Sequence, residues 1–184
     1  MVGPNTGMNS TSSRCVFIGS TESTTAGIGK FNTGDLNLFL GIDSGIVNTS
    51  GEKNTFIGSH TGQKNTTGTG GVFIGNDSGQ NNTTGNNSIY IGTRTGQSIT
   101  TGDDNIILGN RAGSDTLGTI NNNILMGTLA GSYSRVDHLI GIGNRAGRDN
   151  TTGENNIYIG AYAGKSNQKG SNSIMIGSNA GTNF

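Results

Sequence analysis

The chain has little of the material from which an ordinary globular core is made. It contains no tryptophan, six phenylalanines and four tyrosines, and only 29% of its 184 residues are hydrophobic, too few large apolar side chains for a conventional core of that length. It has one cysteine, Cys15, which rules out an internal disulfide framework and leaves the redox compartment open. No apolar run approaches the roughly 18–20 residues of a membrane-spanning helix. Eleven basic residues balance eleven acidic ones, so no summed field draws the chain to nucleic acid or an anionic membrane. The expectation is no nucleic-acid partner and no membrane insertion. The opening residues MVGPNTGMNSTSSRC show neither the basic nor the apolar region of a secretory signal, so any export signal is expected to be absent, removed or carried elsewhere on a longer chain.

Glycine is what the chain has in quantity: 34 residues against a single proline. The spacing is too wide for collagen, and the zero net charge and even distribution argue against a disordered tail. Ten short apolar triplets each end in a glycine, at Gly19, Gly41, Gly58, Gly75, Gly92, Gly109, Gly127, Gly143, Gly160 and Gly177. Most successive intervals are 17 residues, the exceptions being 22, 18 and 16. A second glycine follows four residues later (Gly45, Gly62, Gly79, Gly96 and onward), and a third often six after that, commonly behind a Thr-Thr or Ser pair. The first unit is irregular, with Ser23 in place of its second glycine.

A unit with one triplet of β-formers and three glycine corners does not form a helix, because it lacks three–four apolar spacing and glycine costs about 1 kcal/mol per helical position relative to alanine. Short strands turning at glycines and stacking in parallel, about 4.8 Å apart, accommodate every position. The expected fold is therefore all-β, a parallel β-solenoid (β-roll) of about ten coils with a 17-residue repeat, spanning 16–184 and preceded by a cap or linker over 1–15.

The two sides of each strand are then assigned. Residues three and one before the first glycine are taken as inward, so that Ile74, Ile91, Leu108, Ile142, Ile159 and Ile176 form the coil core. The small residue before the second glycine (Ser44, Thr61, Ser78, Ala112 and equivalents) is expected to fit a close opposing wall. The middle residue is then outward: Phe17, Phe39, Phe56, Phe73, Tyr90, Ile107, Leu125, Tyr158 and Met175, with Gly141 as the exception. A soluble monomer rarely exposes so large an apolar stripe, and the stripe is expected to be an interface between copies of the chain.

Asn87-Ser88-Ile89-Tyr90-Ile91-Gly92, Asn172-Ser173-Ile174-Met175-Ile176-Gly177 and the near match Asn155-Asn156-Ile157-Tyr158-Ile159-Gly160 resemble the Asn-Ser-Val-Ala-Ile-Gly repeat of YadA-like trimeric adhesin heads. Related glycine-rich repeats occur in bacterial surface fibres and in phage or virus tail fibres. The resemblance implies a left-handed, homotrimeric roll at a cell, virion or fibre surface, with a glycan or protein on a host or prey surface as partner. The unit here is longer than the family's usual one, and its middle position is aromatic or long aliphatic where the family prefers alanine.

No enzyme chemistry is expected, and no cofactor or metal. Gly141-Ile142-Gly143-Asn144-Arg145-Ala146-Gly147 is one copy of the repeat with no β-α-β context for a dinucleotide. The Ala26–Phe31 stretch lacks the upstream glycine and the hydroxyl of a phosphate loop. His60 and His138 read as turn residues, and the acids, Asp103-Asp104 among them, follow no calcium-binding repeat. Arg94, Arg111, Arg145 and Arg148 form either a basic patch for sulfate or phosphate or a solvated face shared with Asp43, Asp77 and Asp149. Sequons such as Asn65-Thr66-Thr67 and Asn82-Thr83-Thr84 are expected to mark exposed turns. The Thr pairs, including Thr100-Thr101 and Thr151-Thr152, raise ice binding as an alternative, although adjacency turns only one of each pair outward and the column breaks at Leu117, Val136 and Lys169. The functional expectation is a structural and adhesive fibre module, with ice binding and a mechanical tail-fibre spacer as alternatives.

Overall fold

The computed structural model describes Gly7 and residues 9–20, 27–116 and 118–182. Residues 1–6 and 8 of the expected cap, Ser23 of the irregular first unit and Leu117 lie outside the described residues. Ten three-residue strands follow one another: β1 (Val16–Ile18), β2 (Leu38–Leu40), β3 (Thr55–Ile57), β4 (Val72–Ile74), β5 (Ile89–Ile91), β6 (Ile106–Leu108), β7 (Ile124–Met126), β8 (Ile140–Ile142), β9 (Ile157–Ile159) and β10 (Ile174–Ile176). They form a single parallel sheet in sequence order, with equivalent residues in register, as where Phe73 pairs with Tyr90 and Tyr90 with Ile107. The fold is an all-β parallel solenoid of about ten coils with a repeat of about 17 residues, and the strands are the ten triplets read from the sequence.

Each coil turns where the backbone enters the left-handed region. The residue two after the first glycine does so at Asp43, His60, Asp77, Arg94, Arg111, Leu129, Arg145, Tyr162 and Asn179, with φ between 51° and 62°. Such values are uncommon for residues with a side chain, and stacking repeats them. The first glycine is required by proximity. A Cβ on Gly75 would lie 2.5 Å from the Gly92 carbonyl oxygen of the next coil, a backbone atom that cannot swing aside.

The structure reverses the expected sides of the strand. Phe17, Phe39, Phe56, Phe73, Tyr90, Ile107, Leu125 and Tyr158, expected to form an outer interface stripe, are each no more than 1% exposed and form the coil core. Met175, in the last strand, packs partly buried against them. Ile74, Ile91, Leu108, Ile142, Ile159 and Ile176, expected inside, lie on the outer face, where Ile91 is 40% and Ile176 67% exposed while Ile74, Leu108 and Ile142 are half-buried.

The depth of the coil interior is the reason. A Cβ on the second glycine Gly62 would sit 2.6 Å from the ring of Phe56, and one on Gly164 would sit 2.4 Å from the ring of Tyr158. The slot between strand and opposite wall is therefore one flat side chain deep, and two branched aliphatics per coil do not fit. In-register pairing then stacks the rings. Phe17, Phe39, Phe56, Phe73 and Tyr90 have successive centroid separations of 5.2, 5.0, 4.9 and 4.7 Å, each pair adding about 0.5–1.5 kcal/mol beyond the area it buries.

The small residues beside the second glycine behave as expected: Ser44, Thr61, Ser78, Thr95, Ala112, Ala130, Ala146 and Ala163 are fully buried. The Ser78 hydroxyl donates to the Tyr90 carbonyl of the next coil at 2.9 Å. The rest of the interior is polar. Four residues before the first glycine, Asn54 accepts from the Gly71 amide at 2.8 Å and donates to the Gly68 carbonyl at 2.7 Å. A second ladder runs from Asn82 to Asn65 at 3.0 Å and from Asn65 to Asn48 at 2.6 Å. It ends at Ile99, and the Asn82 side-chain oxygen is buried there without a partner. The sequon asparagines Asn65 and Asn82 are thus interior residues and not exposed turns, a second correction, made because their amides substitute for missing backbone partners.

At β8 the pattern breaks and repairs itself. Gly141 leaves the slot empty of its usual side chain, and Leu139, where other coils carry a polar or small residue, fills it against Gly147. The double substitution Leu139→Asn/Gly141→Phe restores the common pattern. It is expected to be more stable than the sum of the single changes by about 2 kcal/mol, measured by chemical denaturation; strict additivity would refute the compensation. Burial pushes the Tyr90 hydroxyl up to about 12 from its ordinary 10.0, only partly offset by Ser88 and Asn105 beside it. The fold keeps this proton after the unfolded chain has lost it, so the contribution is intact below pH 10 and disappears as pH rises toward 12. Unfolding free energy is expected to fall by about 3 kcal/mol over that range, and Tyr90→Phe is expected to remove that part of the decline.

Candidate functional site

The largest feature that the coil stacking leaves on the surface is the outer face of the sheet. The first and third residues of all ten strands point outward. Of these 20 positions, 19 are Val, Ile, Leu or Met, and Thr55 is the exception. The face is narrow, roughly 10 Å across by 43 Å long from strand rise and spacing. Contiguous apolar patches of this size are uncommon on soluble monomers.

The corner just beyond the first glycines carries the charged column. Toward the N-terminal end it sets acids beside His60 and Arg94. His60 lies between Asp43 and Asp77, with nitrogen–oxygen distances of 4.0 and 3.4 Å, and Arg94 reaches Asp77 at 3.7 Å. Past Arg94 the column continues as Arg111, Leu129, Arg145 and Tyr162. The Arg145 guanidinium lies 5.5 Å from the Tyr162 ring centre and donates to the Tyr162 hydroxyl at 2.8 Å. On the wall opposite the sheet, Arg148 binds both carboxylate oxygens of Asp149 at 2.9 and 2.8 Å and lies 5.7 Å from the ring of Tyr133. Of the four arginines singled out from the sequence, Arg94 and Arg148 are thus paired with carboxylates, and Arg145 is paired with an aromatic. Sequence reasoning missed Tyr133 and Tyr162; the available signal was that they are the two tyrosines outside the strand triplets.

The threonines divide by position. The first of each pair is spent within the rod, Thr66 donating to the Thr83 carbonyl at 3.1 Å and Thr83 to that of Thr100 at 3.0 Å. The second is exposed at Thr67, Thr84 and Thr152, while Thr101 is half-buried against the Thr119 hydroxyl and Thr152 also donates to the Gln168 carbonyl at 3.4 Å, so the outward hydroxyls form a broken column. Val136 is buried and Lys169 is exposed. His138 is an exposed turn residue, His60 is half-buried within the charged column, and Asp103 accepts from the Asn86 amide at 2.6 Å in a ladder on the corner before the strand. Among the described residues no three His, Cys, Asp or Glu side chains converge as metal ligands.

No protein-family model matches the chain, and no curated protein or solved structure matches it.

Proposed function

We propose that the chain is a non-enzymatic structural and adhesive module of a surface fibre. In this reading copies associate as a homotrimer through the aliphatic faces of β1–β10, and the corners on the far side of each roll meet a glycan or protein on a host or prey surface. The observation that carries it is the outer sheet face, 19 of whose 20 positions are aliphatic or methionine. Two further copies of the same face, packed about a threefold axis, are the occupants whose chemistry matches along the whole length, because all three repeat at the same coil spacing. The Asn-Ser-apolar-x-apolar-Gly repeat, similar to that of YadA-like trimeric heads and of related surface and tail fibres, supports three chains, a left-handed roll and an extracellular or virion-surface setting. The bulk that sets this chain apart from that family lies inside the coil, at Phe56, Phe73 and Tyr90, so a longer unit and a deeper roll leave the associating face unchanged in kind. Identical stacked corners suit repeated weak contacts, in which avidity supplies the strength.

Ice binding is the second reading, favoured by the exposed column of Thr67 and Thr84 and disfavoured by its width of one hydroxyl. Thermal hysteresis that is lost on replacing Thr84 would replace the adhesive reading.

For the association, light scattering on dilute protein is expected to give three times the 18.8 kDa chain mass. Ile91→Lys/Leu108→Lys, on the outer face, is expected to give a monomer with the β-sheet circular dichroism retained. A soluble wild-type monomer would refute the trimer.

A further inference from the structure

The coils carrying β7, β8 and β9 concentrate cations and tyrosines from the corner beyond the first glycines round to the wall opposite the sheet. Arg148 and Lys165 each directly follow a second glycine, Gly147 and Gly164, whose inner side abuts the core ring of Tyr158, which places both on the wall across the coil from the strands. They occupy the same repeat position in adjacent coils, tied by the Asp149 amide donating to the Lys165 carbonyl at 3.0 Å. In-register stacking therefore sets like charges one coil apart, an arrangement that disfavours the fold. In the N-terminal half the same column is uncharged, Gln63, Gln80 and Gln97, with Gln80 donating to Gln63 at 3.3 Å and Gln97 to Gln80 at 2.9 Å.

The cations gather on rings. The Lys165 ammonium and the Arg145 guanidinium each lie 5.5 Å from the centre of the Tyr162 ring. Among the described residues neither has a carboxylate within ion-pair distance, and the Arg145 Nε is buried without a hydrogen-bond partner. Arg148 uses one edge on Asp149 and lies against Tyr133, which is 49% exposed one coil away. The cluster spans two coil spacings, about 10 Å.

We infer that this cluster is a binding site for an acidic saccharide. The exposed face of Tyr133 offers an apolar platform for a sugar ring, while Arg145, Arg148 and Lys165 supply charge-assisted donors to its carboxylate or sulfate groups. The inference rests on the adhesive reading in taking the far-side corners as the recognition surface, and it gives that surface a ligand class.

The test is binding of the full chain to a heparin hexasaccharide (sulfated) and a hyaluronan hexasaccharide (carboxylated), with maltohexaose and a short single-stranded DNA as comparators, while light scattering follows mass on the same samples. Binding to at least one acidic probe and none to maltohexaose is expected, the preferred probe identifying sulfate or carboxylate. Arg148→Gln/Lys165→Gln is expected to weaken it about tenfold and Tyr133→Ala about threefold, with no loss of melting temperature in the double variant. Lys64→Gln, on a distant coil, is expected to leave it unaltered. Should the double variant fail to fold, Lys165→Gln alone is expected to cost about threefold. Binding to neither acidic probe, equal affinity for maltohexaose or DNA, or an equal loss with Lys64→Gln would overturn the site. A monomer that binds the saccharide would refute the trimer and leave the site standing, and a trimer that does not bind would do the reverse.

Discussion

The contact between the middle residue of each strand and the second glycine across the coil determines the rest of the structure. The ring of Phe56 lies where a Cβ on Gly62 would have to go, and the same holds for Phe73 and Gly79. This contact fixes the thickness of the roll at one flat side chain. With thickness fixed, parallel in-register pairing stacks the rings 4.7–5.2 Å apart, and the remaining strand residues have nowhere to go but outward. The apolar outer face follows from this geometry together with the preference of strands for branched aliphatics.

A slot this shallow leaves too little apolar material to line the whole coil, and asparagine lines the rest. Asn54 and Asn105 each accept an amide from the next coil and donate to a carbonyl there, so corners whose backbone cannot pair directly are paired through side chains. Those bonds reach backbone groups and need only the coil spacing, whereas the Asn48–Asn65–Asn82 ladder needs asparagine again in the next coil. Where the repeat lapses the effects are local: Ile99 leaves the Asn82 oxygen unpartnered, and Leu139 moves into the space that Gly141 vacates.

The solenoid, its period and all ten strands were legible in the sequence, because glycine spacing and short β-forming triplets constrain the backbone whatever the side chains do. The inside and the outside of the coil were not. Alternation along a strand identifies two faces, and the interior is normally the apolar one; in Val72-Phe73-Ile74 both faces are apolar, so alternation cannot decide. One signal favoured the true assignment: the one coil with glycine in the middle has leucine two residues earlier, at 139. The cation–tyrosine cluster was legible only in its arginines, since nothing local brings Tyr133 beside Arg148, which is 15 residues later, until coils stack.

The reversal makes the exposed apolar face aliphatic and puts the aromatic rings inside the coil. Under the proposed association, the far side of the roll, with its uneven charge, is the surface left for a partner. The most direct test is nuclear Overhauser contact between the ring protons of Phe56 and Phe73 and the α-protons of Gly62 and Gly79. Strong contacts to the rings and none to the methyl groups of Ile57 and Ile74 are predicted; methyl contacts to those glycines, with the rings silent, would contradict the account.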